Sequence, residues 1–181
     1  GPSMFVRYRK GLCRGMQNAL HVITEVHAEW ARRFGRPWAP LVEEYRLEDA
    51  EYAIVTIGSM TGAAKDAVDE ARRKGKRVGL VKFKTFRPFP LKAALSSLSK
   101  VKALGVVDRA VNFGWNCGPL YQEILAALYH LRECIPAISF IGGLAGSDLT
   151  VDKFNMVIQE TEAVYRGNPG PTEPIWLNEK D

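Results

Sequence analysis

A chain of 181 residues, 46% hydrophobic and 25% charged, is long enough for one well-filled core and too short for two comfortable ones. No apolar stretch reaches the roughly 18 to 20 residues of a membrane span, and the N-terminus lacks the basic start, apolar core and small-residue cleavage site of a secretion signal, so a soluble, cytoplasmic protein is expected. The net charge of +5 raises nucleic acid as a partner, but the densest basic run, "RRKGKR" from Arg72 to Arg77, lies between a helical stretch and a strand, where cations complement a helix C-terminus around Gly75; no nucleic acid is expected.

The first element in chain order is an amphipathic helix. From about Leu12 to Phe34, the apolar residues Met16, Ala19, Leu20, Ile23, Val26, Trp30 and Phe34 recur at three- and four-residue steps, and Gly35 follows as a stop. "GRPWAPLVEEYRLEDAE" then reads as a connector in which "EEYRL" forms a short edge strand.

After it the sequence alternates. The apolar runs "YAIVTIG", "RVGLVKF", "ALGVVDR" and "AISFIGG" are each followed by a helical stretch: "TGAAKDAVDEARRKG", "PLKAALSSLSK", "GPLYQEILAALYHLRE" and "TVDKFNMVIQETEAVYR". Runs apolar on both faces suit strands of a parallel sheet covered by helices. The expected fold is therefore α/β: a three-layer α/β/α sandwich around a five-stranded, mostly parallel sheet of order 1-3-2-4-5, with strand 1 antiparallel at the edge. Residues 1–47 are read as linker helix, connector and edge strand, 48–166 as the α/β domain, and 167–181 as an extended arm whose Ile175, Trp176 and Leu177 need a surface to cover.

In such a sheet the working crevice lies beyond the carboxyl ends of the strands, where the chain reverses direction. "GSMTG" (Gly58 to Gly62) after strand 2 and "DRAVNFG" (Asp108 to Gly114) after strand 4 would line it. "KFKTFRPFPLKA", leaving strand 3 at the same end, is stiffened by Arg87-Pro88 and Phe89-Pro90, with Pro90 starting the next helix. It reads equally as a rigid packing corner or as a turn that displays Arg87.

Catalytic signatures are largely missing. Gly58-Ser59 lacks the flanking glycines of a nucleophile elbow, and "GSMTGAAK" lacks the spacing of a phosphate-binding P-loop. Gly58 and Ser59 before a helix start could gather an anion, or Ser59 or Thr61 could simply cap the helix. Asp108 and Arg109 form either a self-satisfying pair or a contact to a partner. Cys13, Cys117 and Cys134 are too scattered for a zinc site, an iron–sulfur site or a disulfide framework, and none of the three histidines has a metal-like companion.

Taken together, "FGRPWAPLVEEYRLEDAEYAIVTIGSMTGAAKDAVDEARRKGKRVGLVKFKTFRPFP", "VVDRAVNFG…GPLYQEILAALY", "FIGGLAGSDLT" and the closing "IWLNEK" resemble the second domain of the α subunit of pyruvate:ferredoxin oxidoreductase and related 2-oxoacid:ferredoxin oxidoreductases. Ser147 stands where that family usually has arginine, and Ala145 replaces a glycine. The resemblance implies a transketolase C-terminal-like fold and membership of an enzyme that interconverts a 2-oxoacid, most readily pyruvate, plus CoA with acyl-CoA, CO2 and reduced ferredoxin. It implies thiamine diphosphate, magnesium, 4Fe-4S clusters and CoA in the parent complex, with none bound by this chain alone. The implied partners are the thiamine-binding α domain, the β, γ and δ subunits, and ferredoxin through the complex. On this reading the chain is a fragment or separately encoded piece, inactive by itself, with no catalytic residue and no metal ligand. Gly58, Ser59, Arg87, Asp108 and Arg109 would contact a neighbouring domain or an anion such as CoA. The alternatives are the C-terminal domain of another transketolase-like enzyme, such as a 2-oxoacid dehydrogenase β subunit, and a stand-alone binding module.

Overall fold

In the computed structural model, which describes residues 1–131 and 133–178, four apolar runs form the middle of one six-stranded sheet. The chain runs α1 (Pro2–Phe34), β1 (Val42–Tyr45), β2 (Tyr52–Ile57), α2 (Thr61–Arg73), β3 (Val78–Phe83), α3 (Leu91–Leu98), β4 (Leu104–Asp108), α4 (Pro119–Leu128), β5 (Ala137–Ile141), a 3-10 turn (Leu144–Gly146), α5 (Val151–Tyr165) and β6 (Ile175–Trp176). The strand order is β1-β3-β2-β4-β5-β6; β1 is antiparallel to β3 and every other pairing is parallel. The expected 1-3-2-4-5 core is present. The sixth strand is the difference: Ile175 and Trp176 pair with Phe140 and Ile141, and Leu177 N–H donates to Ile141 O at 2.8 Å. Without that strand β5 would be an open sheet edge, with unpaired backbone groups beside the core.

The sheet is covered on both faces. On one side Ile54, Leu80, Val107 and Phe140 pack with Ala64, Val68, Phe154 and Val157 from α2 and α5. On the other, Val55, Val81, Phe83 and Val106 meet Ala94, Leu98, Leu120 and Ile124 from α3 and α4. Alternate residues of each strand thus serve opposite cores, which is why the runs carry no polar face. Gly105 in β4 lets α5 lie close to the sheet: a Cβ there would stand 2.2 Å from Thr161 Oγ1 and 3.1 Å from the Phe140 ring.

Two helices depart from expectation. α1 begins at Pro2, about ten residues earlier than the periodicity suggests, because Phe5 and Tyr8 continue the stripe; of its 33 residues none is buried. At 1.5 Å per residue it extends about 50 Å. α4 ends at Leu128; the expected continuation to Glu133 crosses Arg132, which lies outside the described residues, as do residues 179–181, the first two of which end the closing motif. No helix among the described residues is long and apolar enough to cross a membrane.

Candidate functional site

The chain reverses between β2, whose following helix α2 lies on one face, and β4, whose following helix α4 lies on the other. Val55 pairs with Val106, so Ile57 and Asp108 end their strands at the same level, and Gly58-Ser59 sits beside Asp108-Arg109. Gly58 takes φ of 81°, turning the chain from β2 toward α2. Ser59 is exposed and does not cap α2: Met60 occupies the N-cap position without a side-chain bond, and the Thr61 hydroxyl donates back to Gly58 O at 2.9 Å.

Asp108 faces inward. It is 2% exposed, and its two carboxylate oxygens accept the N–H groups of Leu120 (2.8 Å) and Tyr121 (3.1 Å) in the first turn of α4. Pro119 opens that turn and removes a further donor. Burial pushes the carboxyl up from 3.8 to about 6, against the lowering effect of those two backbone bonds. The fit tolerates no side chain opposite: a Cβ on Gly118 would lie 2.0 Å from Asp108 Oδ2. Neighbouring Cys117 is buried, and its thiol is pushed up by desolvation and then by the Asp108 charge, the reverse of an activated nucleophile. Asp108 therefore joins the end of β4 to the start of α4.

Arg109 is exposed and reaches sideways along the carboxyl edge of the sheet, its Nε and Nη2 donating to Gly143 O at 3.2 and 3.1 Å. Asp108 and Arg109 thus form no pair with each other; each bonds backbone in a different element. Gly143 N–H in turn donates to Asn178 Oδ1 at 2.7 Å, and the Asn178 amide donates to Asp148 O at 3.2 Å, so the tail pins the turn after β5. Asn178 carries no sequence pattern that could have singled it out.

Arg87 stands apart from this group. Its guanidinium lies 4.4 Å from the Phe86 ring centroid, donates to Phe86 O at 2.9 Å and pairs with Glu123 of α4. Phe89 stacks on buried Phe83 at 5.6 Å. The Arg87-Pro88 bond is cis, and Pro90 stands at the N-cap of α3 rather than inside it. "FRPFP" is a packing corner with one exposed cation on it.

The sequence places the start of the loop after Arg109, as far as Gly114, at the crevice, but it does not show how the loop is closed or that its tip reaches Trp115. Asn112 N–H donates to Cys117 O at 2.8 Å, and Asn112 bonds Gln122 of α4 through its side chain, which closes the loop at its base. Its tip carries Phe113, 94% exposed, and Trp115, 68% exposed. Two uncovered rings on a pinned loop, next to the strand-end crevice, suit contact with another surface better than chemistry.

The family comparison decides what kind of domain this is: residues 50–154 match the model described as pyruvate:ferredoxin oxidoreductase core domain II. The chain belongs to that family. Among similar curated proteins, the α subunit of NADH-dependent phenylglyoxylate dehydrogenase from Aromatoleum evansii is 68% identical over all of the chain, which covers 43% of that protein. The PorA subunit of pyruvate synthase from Methanosarcina barkeri is 33% identical over 91% of the chain and 41% of its own length. The VorA subunit of ketoisovalerate oxidoreductase from Pyrococcus abyssi is 32% identical over 99% and 45%. The chain spans about two fifths of the length of these relatives. Two solved structures share the fold. A 2-oxoglutarate:ferredoxin oxidoreductase from Magnetococcus marinus matches 66% of the chain and 19% of its own chain, with TM-score 0.51 and 24% identity. A split-gene transketolase matches 66% of the chain and 40% of its own, with TM-score 0.53 and 17% identity. The match to core domain II favours the ferredoxin-linked branch over a 2-oxoacid dehydrogenase β subunit. The turn after β5 holds Ala145 at φ 51°, a backbone geometry that favours glycine, and Ser147 is exposed.

Proposed function

We propose that this chain is the docking and scaffold part of the α subunit of an oxidoreductase acting on an aryl-substituted 2-oxoacid. The overall reaction would join the oxoacid and CoA-SH to give an acyl-CoA thioester, CO2, one proton and two electrons, the electrons leaving through other subunits to ferredoxin or NAD. The observation that carries this reading is the 68% identity over the whole chain to a phenylglyoxylate dehydrogenase α subunit, twice the identity to the pyruvate and ketoisovalerate relatives.

The residues present do not suit the cofactors of that reaction. No three His, Cys, Asp or Glu side chains converge among the described residues, so no carboxylate set is in place to hold a magnesium diphosphate. Cys117 is buried while Cys13 and Cys134 are exposed, which leaves no thiolate set for a cluster. Magnesium-bound thiamine diphosphate and the iron–sulfur clusters are accordingly assigned to other parts of the assembly.

What this chain offers is surface. α1 presents Phe5, Tyr8, Leu12, Met16, Val26 and Trp30 to solvent along its length. A helix of this kind gains most of its stability from packing an apolar stripe, so an uncovered one calls for a partner. Since the chain is about two fifths of its relatives, that partner is the remainder of the same α subunit. Ser59, Arg109 and the Phe113–Trp115 tip would form a second contact surface, which Gly58 and Asp108 shape from beneath, and Arg87 would make its contact apart from it, beside Glu123 of α4.

Co-expression of the complete α subunit with its companion subunits tests the reading. CoA-dependent reduction of a viologen dye by phenylglyoxylate, faster than by pyruvate or ketoisovalerate, is expected, with no turnover by this chain alone. Turnover by the isolated chain, or pyruvate as the preferred substrate, overturns it.

A further inference from the structure

A further cavity lies not at the reversal between β2 and β4 but at the outer edge of the sheet. It measures about 540 Å³ and is open to solvent, within the size range of small-molecule sites. Lys65 comes from the first turns of α2, Lys82 from β3, Lys84 from just beyond β3 and Glu43 from β1; His27 of α1 and Trp38 of the connector close the outer wall.

The charges do not balance. Glu43 pairs with Lys65 at 2.5 Å and Lys84 at 3.1 Å. These two ammoniums hold its carboxyl below the usual carboxylate range although burial acts in the opposite sense. One carboxylate is thus shared by two cations, and Lys82 has no acidic partner among the described residues. Lys82 is also out of place for a strand. It lies on the same face as Leu80, which is fully buried under α2, and directly beside Glu43 in the β1 register. Lysine is depleted in strands, and its half-buried position here retains a charge where the pattern of the neighbouring residues calls for an apolar side chain.

The walls hold the charged ends in place. Lys84 Nζ lies 5.2 Å from the Trp38 ring centroid. His27 meets Trp38 edge-on at 6.3 Å, and its Nδ1–H donates to Ile23 O at 2.9 Å, which leaves Nε2 unengaged by that bond.

We propose that this cavity binds a small phosphoryl-bearing anion, with Lys82 as its principal contact and Lys65 and Lys84 completing the cationic wall. Three lysines against one carboxylate leave two positive charges for the ligand, which match a phosphate monoester and neutralise most of the charge of a short polyphosphate. The site does not depend on the proposed activity, since every residue in it belongs to this chain.

The test is calorimetric titration of the 181-residue chain with inorganic phosphate, pyrophosphate, ADP and citrate. Saturable binding of pyrophosphate or ADP that weakens with salt is expected. ADP binding more tightly than pyrophosphate would assign a nucleotide, and the reverse a simple polyphosphate. Lys82→Gln should weaken binding about ten-fold or more, as loss of a charge-assisted hydrogen bond does. Lys102→Gln makes the same charge change on the exposed approach to β4, at the opposite end of the sheet, and should leave binding unchanged. Circular dichroism of both variants should match the parent chain. Absence of saturable phosphate binding, citrate binding as tightly as pyrophosphate, or equal effects of the two substitutions would overturn the proposal. Because catalytic turnover is not read, failure here leaves the proposed activity standing.

Discussion

Burial and helix capping pull the Asp108 carboxyl in opposite directions, and burial prevails, raising it to about 6. The folded value exceeds the unfolded one, so between about pH 4 and 6 the folded chain holds a proton that the unfolded chain has released. Stability from this group is therefore greatest below that window, falls as pH rises through it, and is level above. In urea unfolding, lowering the pH from about 7 to 5 should stabilise the parent chain by about 1 kcal/mol relative to Asp108→Asn, which cannot titrate. Taking the difference between the two proteins cancels Glu43 and Glu162, whose carboxyls are lowered by lysine and arginine partners and act in the opposite sense. A parallel pH response in the two proteins would show that the helix N–H bonds keep Asp108 ionised. The sequence marks Asp108 as a strand-end carboxylate in "VVDR". It cannot say that the side chain turns inward, because that depends on Gly118 leaving room ten residues later.

The four central strands were legible because each is apolar on both faces, a pattern no surface element shares, and strand order followed from handedness rules. β6 was not, since a two-residue strand has no period to detect; only its hydrophobic content, Ile175 to Leu177, indicated that it must cover something. Its energetics follow from alternation. Leu177 is 4% exposed and packs into the α2–α5 side of the core, whereas Trp176 is 39% exposed on the other face. Leu177→Ala should then cost about 2 to 4 kcal/mol, and the chemically larger Trp176→Ala less than about 1 kcal/mol, in urea denaturation. The opposite ranking would mean that the tail is held by its backbone bonds alone. The lysine cavity escaped sequence reading for a related reason. "KFK" looks like a polar strand end, and only the antiparallel register of β1 brings Glu43 beside Lys82.

At the scale of the whole molecule, the compact sheet and the long helix obey different physics. The sheet buries its own core; α1 buries nothing, and the aromatic contacts of Trp30 with Phe34 and Trp38 join only its last turns to the connector. Charge sharpens the contrast. Arg7, Arg9, Lys10 and Arg14 lie in the first half of α1 with no acidic residue before Glu25, so much of the net charge of +5 is carried by an element outside the core. Apolar burial should supply the affinity for a partner, while that basic flank selects an acidic surface and speeds encounter. Deleting residues 2–24 should leave the urea stability of the remaining chain within about 0.5 kcal/mol of the parent, because no buried contact is removed. The same deletion should abolish capture of the remainder of the α subunit, and in the intact chain that capture should slow as salt rises from about 0.05 to 0.5 M. A deletion that destabilises the sheet, or one that leaves capture intact, would make α1 a structural strut and move the docking role to the Phe113–Trp115 loop.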